Sequence, residues 1–404
     1  MFKKIKGIHI SEYSSNKHIS DTQPIVDFLK PEFVYIPLVE GGSTCEVRVN
    51  EGNTVCVGDV IAIRLGRFSS PIHSPVSGEV LSCNKKMWHS SGKLVTCIQI
   101  KNDFKERICE GQFKVYKDIT KENIRKIAKE NGIVGLGGSA FPTYVKYDVN
   151  HDMDTVIING AECEPFITGD YRLMIEETDK LIRGIKYIMT AVGAKKAVIA
   201  IKKDKTEAIN AINLAIESEE NIQIYLLKNV YPAGYEKYLV QHIIKKNYKV
   251  LPGEVGCVVN NVATAIALCE AIETGKPLIE KVVTFTGYGL KNPQNVRLKI
   301  GTDVSKVIEF LGGYADEETS NYMLIAGGPM TGASIYFDNL VVNRSLGSVL
   351  ILSKEEEHET LPCMGCGKCV EYCPVNLNPT LIKRTLDANN QTELAKLQPD
   401  KCVQ

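Results

Sequence analysis

The chain has no net charge: 48 lysines and arginines offset 48 aspartates and glutamates over 404 residues. That balance excludes recruitment of nucleic acid or anionic lipid by a global field. Apolar runs approaching the roughly eighteen residues of a transmembrane helix are missing. Behind the basic start "MFKKIKGIHI" there is no apolar h-region, so no secretory leader is expected and the cytoplasm is the expected compartment. Histidine is scarce, with seven residues and none at metal-ligand spacing. His73, in "SPIHSPVSG", reads as a turn residue rather than a ligand. With 44% apolar and 24% charged residues, the composition is that of an ordinary globular protein long enough for several domains.

Cysteine, by contrast, is plentiful, with thirteen residues. In a reducing cytosol these are not expected to form a disulfide framework. Cys45, Cys56, Cys83, Cys97, Cys109, Cys257 and Cys269 are scattered through apolar or alternating stretches and read as small buried hydrophobes. Near the C-terminus, "LPCMGCGKCVEYCPVNLNP" sets Cys363, Cys366, Cys369 and Cys373 in the pattern C-x-x-C-x-x-C-x-x-x-C-P. Three thiolates at that step point successively toward one face of a cubane, and a fourth followed by proline leaves the loop at a helix start. The spacing favours [4Fe–4S]. Zinc is the rival, but zinc ribbons separate their cysteine pairs more widely and do not call for the terminal C-P.

From about Val34 to Ile100, stretches such as "CEVRVNEGNTVCVGDVIAI" alternate with period two between glycine and proline breaks. This predicts a small all-β module. It resembles the barrel-sandwich fold of biotinyl and lipoyl carriers, but "RLGRFSSPIHSPVSG" has no lysine at the hairpin tip, so a structural role is expected. From Ile119 to about Thr274 helices and strands alternate. "DITKENIRKIAKENG" predicts a helix capped by Thr120 and ended by Gly132, and "YRLMIEETDKLIRGIKYIMTAVG" carries continuous helical periodicity. Buried strands are expected at "DTVIING", "KAVIAI" and "IQIYLL", giving a largely parallel sheet with its ligand at the strands' carboxyl ends. "KVVTFTGYGLKNPQNVRLKIGTDVSKVIEFLGGY" suggests a β-grasp-like unit, and "SKEEEHET" an exposed linker.

"GIVGLGGSAFPTYVKY" contains a formal G-x-G-x-x-A match at Gly135, Gly137 and Ala140. Its context is wrong for a Rossmann fingerprint, because a helix precedes and Pro142 follows. The loop is either a tight connection or a ligand cradle, with Lys146 placed to reach a phosphate. Two further stretches favour the cradle. "INGAECEPFITGD" packs Asn159, Glu162, Glu164 and Asp170 at the end of a buried strand, and "CVVNNVATAIALCEA" brings Asn260 and Asn261 to a helix start near Thr264.

Together with "GGPMTG" and the cysteine run, these stretches resemble the signatures of the RnfC (RsxC) family, the peripheral subunit of the Rnf electron transport complex. An RnfC-like protein associated with clostridial proline reductase is a close variant. The same core is similar, more distantly, to the flavin-carrying subunit of respiratory complex I, whose G-F-P-T loop cradles FMN while NADH stacks on the flavin. The resemblance implies an α/β multidomain chain. Residues 1–110 would be the barrel-sandwich β module, 111–276 the FMN- and NADH-binding α/β domain, 277–345 an SLBB β-grasp domain and 346–404 an incomplete ferredoxin-type region.

Residue by residue, it implies FMN contacts from Gly135, Gly137, Gly138 and Lys146. Asn159, Glu162, Glu164, Asn260, Asn261 and Thr264 would line the flavin and nicotinamide site, with Tyr231 and Glu236 of "YPAGYEKYL" near the flavin. Ala161 and Ala263 depart from the complex I pattern, which has acidic residues there. The implied function is that of an oxidoreductase component passing electrons between NADH, FMN and [4Fe–4S] clusters within an ion-translocating NADH:ferredoxin oxidoreductase. The alternatives are a soluble donor to a reductase such as D-proline reductase, or a flavin-free iron–sulfur docking module. Implied partners are other Rnf subunits at the cytoplasmic face of the membrane or a soluble reductase, and ferredoxin or an equivalent carrier; no nucleic acid is implied.

In the ferredoxin pattern Cys373 would ligate a second cluster, with Cys402 as that cluster's first ligand. The full-length protein would then hold two clusters. "KCVQ" stops one residue short of the next C-x-x-C ligand. A cut, a degenerate site or a selenocysteine codon read as a stop would each account for it, and this form is expected to hold at most one intact cluster.

Overall fold

A computed structural model describes residues 7–11, 15–149, 152–316, 322–353 and 361–402. Two four-stranded antiparallel sheets form the barrel-sandwich module. One orders Phe33–Pro37, Lys93–Asn102, Gly78–His89 and Thr54–Val55; the other orders Val39–Glu40, Ser43–Val47, Val60–Arg64 and Ser70–His73. Val34, Ile36, Ile61, Val80, Ile98 and Ile100, at alternating positions, fill the space between them. His73 is not a turn residue: it ends the strand Ser70–His73, is buried, and burial pushes its imidazole down to about 3.

The α/β unit carries a four-stranded parallel sheet of β1 (Thr155–Gly160), β2 (Lys196–Lys202), β3 (Ile222–Leu227) and β4 (Cys257–Asn261), in the order β3-β2-β1-β4. Nearly every residue of β1 and β2 is buried, as expected of strands covered on both faces. The helix Lys121–Glu130 begins where Thr120 Oγ1 accepts from Asn123 N at 3.2 Å, as a capping threonine should.

The long helical periodicity after β1 divides into two helices, Gly169–Glu176 and Thr178–Val192, with Glu177 between them. Thr178 makes the break: its hydroxyl donates to Met174 O at 2.7 Å, satisfying a carbonyl the helix would otherwise use. The second helix lies so close to Val262–Thr274 that a Cβ on Gly184 would come within 2.2 Å of Ala265 O. That glycine lets Leu181, Ile185 and Ile188 bury fully, each contributing roughly 1.5–3 kcal/mol. The contact fixes the start of the Val262–Thr274 helix, where Asn261 stands.

A six-stranded mixed sheet follows, built on Glu280–Thr286, Gln294–Lys299, Tyr322–Ala326, Ala333–Ile335 and Ser348–Ser353. Its last strand is Val26–Phe28, which pairs in parallel with Val296–Leu298. Further upstream, Ile8 and His9 pair with Tyr231 and Val230 beside the α/β sheet. Ile8–His9 and Val26–Phe28 thus stitch the N-terminal stretch to the two later units. Beyond Ser353 the acidic linker reading lies outside the described residues. The cysteine region carries the helices Lys368–Tyr372, Pro379–Asp387 and Gln391–Lys396. Among the described residues no helix is long and apolar enough to cross a membrane.

Candidate functional site

At the carboxyl ends of β1 and β4 a cavity of about 350 Å³ opens between the α/β sheet and the β-grasp sheet. Its size falls in the range of small-molecule sites. One wall is the glycine loop. Gly135 N donates to Phe141 O at 2.8 Å, Ala140 N donates to Gly135 O at 3.1 Å, and Leu136 N donates to the Thr264 hydroxyl at 2.9 Å. Gly138 has φ +109°, a conformation that favours glycine, and a Cβ on Gly137 would meet the Asn261 side chain at 3.4 Å. The barrel-sandwich hairpin tip supports this loop from behind. Arg64 Nη1 donates to Ala140 O at 3.1 Å, and Phe68 meets Phe141 edge-on at 5.4 Å.

Of the twelve residues that the resemblance assigns to cofactor binding, Gly137, Gly138, Asn159, Glu162, Glu164 and Asn261 line the cavity. Asn159 Nδ2 donates to Gly234 O at 2.9 Å, and its Oδ1 accepts from Ala161 N at 3.1 Å. Asn261 Oδ1 caps its helix by accepting from Thr264 N at 3.3 Å, while Nδ2 donates to Asp170 Oδ2 at 2.5 Å. Glu162 Oε1 accepts from Asp170 N at 2.8 Å. Glu164 spans the cavity to the β-grasp unit, accepting from Met330 N at 2.9 Å and from the Thr331 hydroxyl at 2.6 Å.

The other six stand behind this surface. Lys146 Nζ donates to Val259 O at 2.9 Å and lies 3.9 Å from a Glu236 carboxylate oxygen. Its burial lowers the pKa of the ammonium, with Glu236 opposing. Tyr248 also donates to Glu236, at 2.9 Å. Asn260 Oδ1 accepts from the Tyr147 hydroxyl at 3.4 Å, Thr264 receives Leu136 N, and Gly135 closes the loop. Tyr231 is buried on the short strand paired with Ile8.

Sequence reasoning missed the far wall. Lys281 and the stretch Ser345–Ser348 face the cavity, beside the glycine turn 327–332, whose "GGPMTG" the resemblance counts as a signature without giving it a place in the site. Lys281 sits in an apolar strand on the same face as Val283 and Phe285, so its period-two register was the available signal. Its ammonium donates to Arg344 O at 2.9 Å, and burial lowers it to about 7 against the pull of Asp170. Burial, with Glu162 adding, pushes Asp170 up to about 7. Glu162 Oε2 and Ser348 Oγ are buried at this cavity without a hydrogen-bond partner. Glycine-lined walls that admit a flat ring, with the unpartnered Ser348 hydroxyl beside them, fit a flavin.

In the cysteine loop, Gly365 (φ +70°) and Gly367 (φ +73°) make the tight turns between successive thiols. Cys363, Cys366, Cys369 and Cys402 are exposed, and Cys373 is half-buried. Leu377 N donates to Cys373 Sγ at 3.2 Å, and Cys369 Sγ lies 3.5 Å from the Thr380 hydroxyl. Amide and hydroxyl contacts of this kind suit thiolates that hold a cluster.

Two of the scattered cysteines are not isolated hydrophobes: Cys56 and Cys109 form a disulfide, and Cys109 is exposed in the link between the β module and the α/β unit. They were separated too far in sequence, by 53 residues, for spacing to pair them. Cys97, Cys257 and Cys269 are buried as expected, whereas Cys45 and Cys83 are half-buried.

Three regions match known families: residues 2–105 the RnfC barrel sandwich hybrid domain, 128–270 the Nuo51 FMN-binding domain, and 282–334 the SLBB domain. The chain is 37% identical to the C component of the Na(+)-translocating ferredoxin:NAD(+) oxidoreductase complex of Acetobacterium woodii, over 87% of this chain and 80% of that one. It is 34% identical to the C component of the proton-translocating ferredoxin:NAD(+) oxidoreductase complex of Clostridium ljungdahlii, covering 95% and 84%. It is also 34% identical to the C component of the ion-translocating oxidoreductase complex of Rhodobacter capsulatus, covering 97% and 76%. In fold, it resembles a chain of the NAD+-reducing [NiFe]-hydrogenase in the air-oxidized state, with a TM-score of 0.50 and 20% identity over 58% of this chain and 47% of that one. By these matches the chain belongs to the RnfC family of ion-translocating oxidoreductase complexes.

Proposed function

We propose that the chain is the electron-transfer subunit in which NADH, FMN and [4Fe–4S] clusters meet, assembled with the other subunits of an Rnf complex at the cytoplasmic face of the membrane. The observation that carries this reading is the glycine-walled cavity at the carboxyl ends of β1 and β4, shared by Gly137, Asn159, Glu162 and Asn261. FMN, when bound, supplies the change from two-electron to one-electron chemistry. The protein's part is to hold and orient. Gly137 and Gly138 leave room for the ring, Asn159 and Asn261 present amides already fixed by their own hydrogen bonds, and Glu162 and Glu164 face the dinucleotide. Lys146, through Val259 O and Glu236, supports the strand end from which Asn260 and Asn261 project.

Cys363, Cys366 and Cys369 are the proposed ligands of one cluster, with Cys373 and Cys402 directed to a second. Ferredoxin or an equivalent carrier is the proposed electron partner. No general base is required, because hydride transfer depends on stacking and orientation. Reconstitution with FMN followed by denaturation and chromatography tests the cavity assignment. Stoichiometric flavin should be released; well-folded protein that retains none would remove the assignment.

A further inference from the structure

The described residues among the first twenty, 7–11 and 15–20, follow the two loops that carry the proposed site. Ile8 and His9 pair with Tyr231 and Val230. Ser15 O accepts from Phe166 N at 2.8 Å, and the Ser20 and Thr168 hydroxyls lie 2.7 Å apart. Between these contacts Lys17 is only 3% exposed. Its ammonium donates to Ile167 O and lies 3.5 Å from Glu162 Oε2, the carboxylate oxygen that has no hydrogen bond.

We propose that Lys17 is a positioning residue of the dinucleotide site, holding the Glu162 carboxylate and the loop 161–168 in place through its ammonium. The proposal rests on the reading of Glu162 as a residue that faces the dinucleotide. Two features require such a hold. Glu162 and Phe166 both have positive φ, +37° and +66°, conformations that persist only where their surroundings fix them. A buried ammonium is costly unless paired, and this one has a carboxylate and a carbonyl as partners. Glu162 accepts from Asp170 N through Oε1, so Lys17 contacts the oxygen that remains.

The titratable groups around Lys17 are Glu162 and Cys163 from the loop, the latter a buried thiol whose pKa burial raises, Lys202 at the end of β2, and Lys205 just beyond it. Burial lowers Lys17 to about 8, Glu162 opposing and the two lysines adding. The hold is present while the ammonium is charged and is lost as pH rises through that value. Flavin reduction by NADH should therefore decline on the alkaline side near pH 8.

The test compares wild type, Lys17→Met, Glu162→Gln and the double variant, all loaded with FMN under anaerobic conditions. Lys17→Met should keep flavin that dithionite reduces, with reduction by NADH slowed roughly ten- to a hundredfold at neutral pH. It should lose the alkaline decline, and its effect should be smaller in the Glu162→Gln background than in the wild type, the remainder coming from the lost contact with Ile167 O. Hydrogen exchange of residues 161–168 reads the same hold without cofactor, and it should quicken in Lys17→Met. Unchanged exchange, effects that multiply in the double variant, or a flat wild-type profile through pH 8 would each overturn the proposal; the last does not require Lys17→Met to fold. Wild-type flavin bleached by dithionite but not by NADH would retire the dehydrogenase reading, while the exchange result still decides on Lys17.

Discussion

Between Cys363 and Cys373 the candidate cluster ligands sit a few residues apart on one mostly exposed stretch, a loop that runs into the helix Lys368–Tyr372, with little packed around them. The cavity is built in the opposite way. Gly137, Asn159, Glu162, Asn261 and Lys281 come from five separate stretches, and the sheet order, the close approach at Gly184 and the Glu164 bridge place them around one space. The loop's chemistry is local and the cavity's is tertiary. Damage to one should therefore leave the other intact, and damage to the cavity should grade with how directly a residue faces it.

The largest effect is expected from Cys369→Ser, which removes the third thiolate of the run, at the start of the helix Lys368–Tyr372. Cluster iron should be lost almost completely, as read by iron analysis and EPR, with flavin retention unchanged. Asn261→Ala comes next, since it removes the helix cap and the donor to Asp170 together. Bonds to charged groups contribute about 1.5–3 kcal/mol, so FMN affinity should fall by roughly ten- to a hundredfold while iron content is preserved.

Lys146→Met should cost less, roughly tenfold or below in flavin affinity by fluorescence titration, because Lys146 supports Val259 instead of lining the cavity. A loss as large as that of Asn261→Ala would return Lys146 to direct contact with the ligand. Cys109→Ser should have the smallest effect on both cofactors. It opens the disulfide with Cys56, neither cysteine of which lines the cavity, and should lower thermal stability without changing flavin or iron content.

The two regions also differ in how legible they were from sequence. The cysteine spacing states its chemistry without a fold, and the parallel strands were plain from their apolar runs. Half of the expected cofactor residues fall one layer behind the cavity surface, because a motif marks a stretch without saying which side chains face inward. Lys146 and Asn260 are such cases: both sit beside the cavity wall, Lys146 giving its ammonium to Val259 O and Asn260 its Oδ1 to the Tyr147 hydroxyl, with Asn260 Nδ2 left buried and unpartnered. The β-grasp wall was missed because Lys281 and Ser348 belong to strands that touch the α/β unit only through long-range packing. The Thr178 break shows the same limit at small scale, since one hydroxyl ends a helix that apolar periodicity alone would continue.

The most direct test of the account is an anaerobic titration of FMN-loaded protein with NADH, following flavin absorbance. The account predicts stoichiometric bleaching, with Asn261→Ala showing little bound flavin to bleach and Cys369→Ser bleaching normally. A folded protein whose bound flavin responds to dithionite but not to NADH would contradict it.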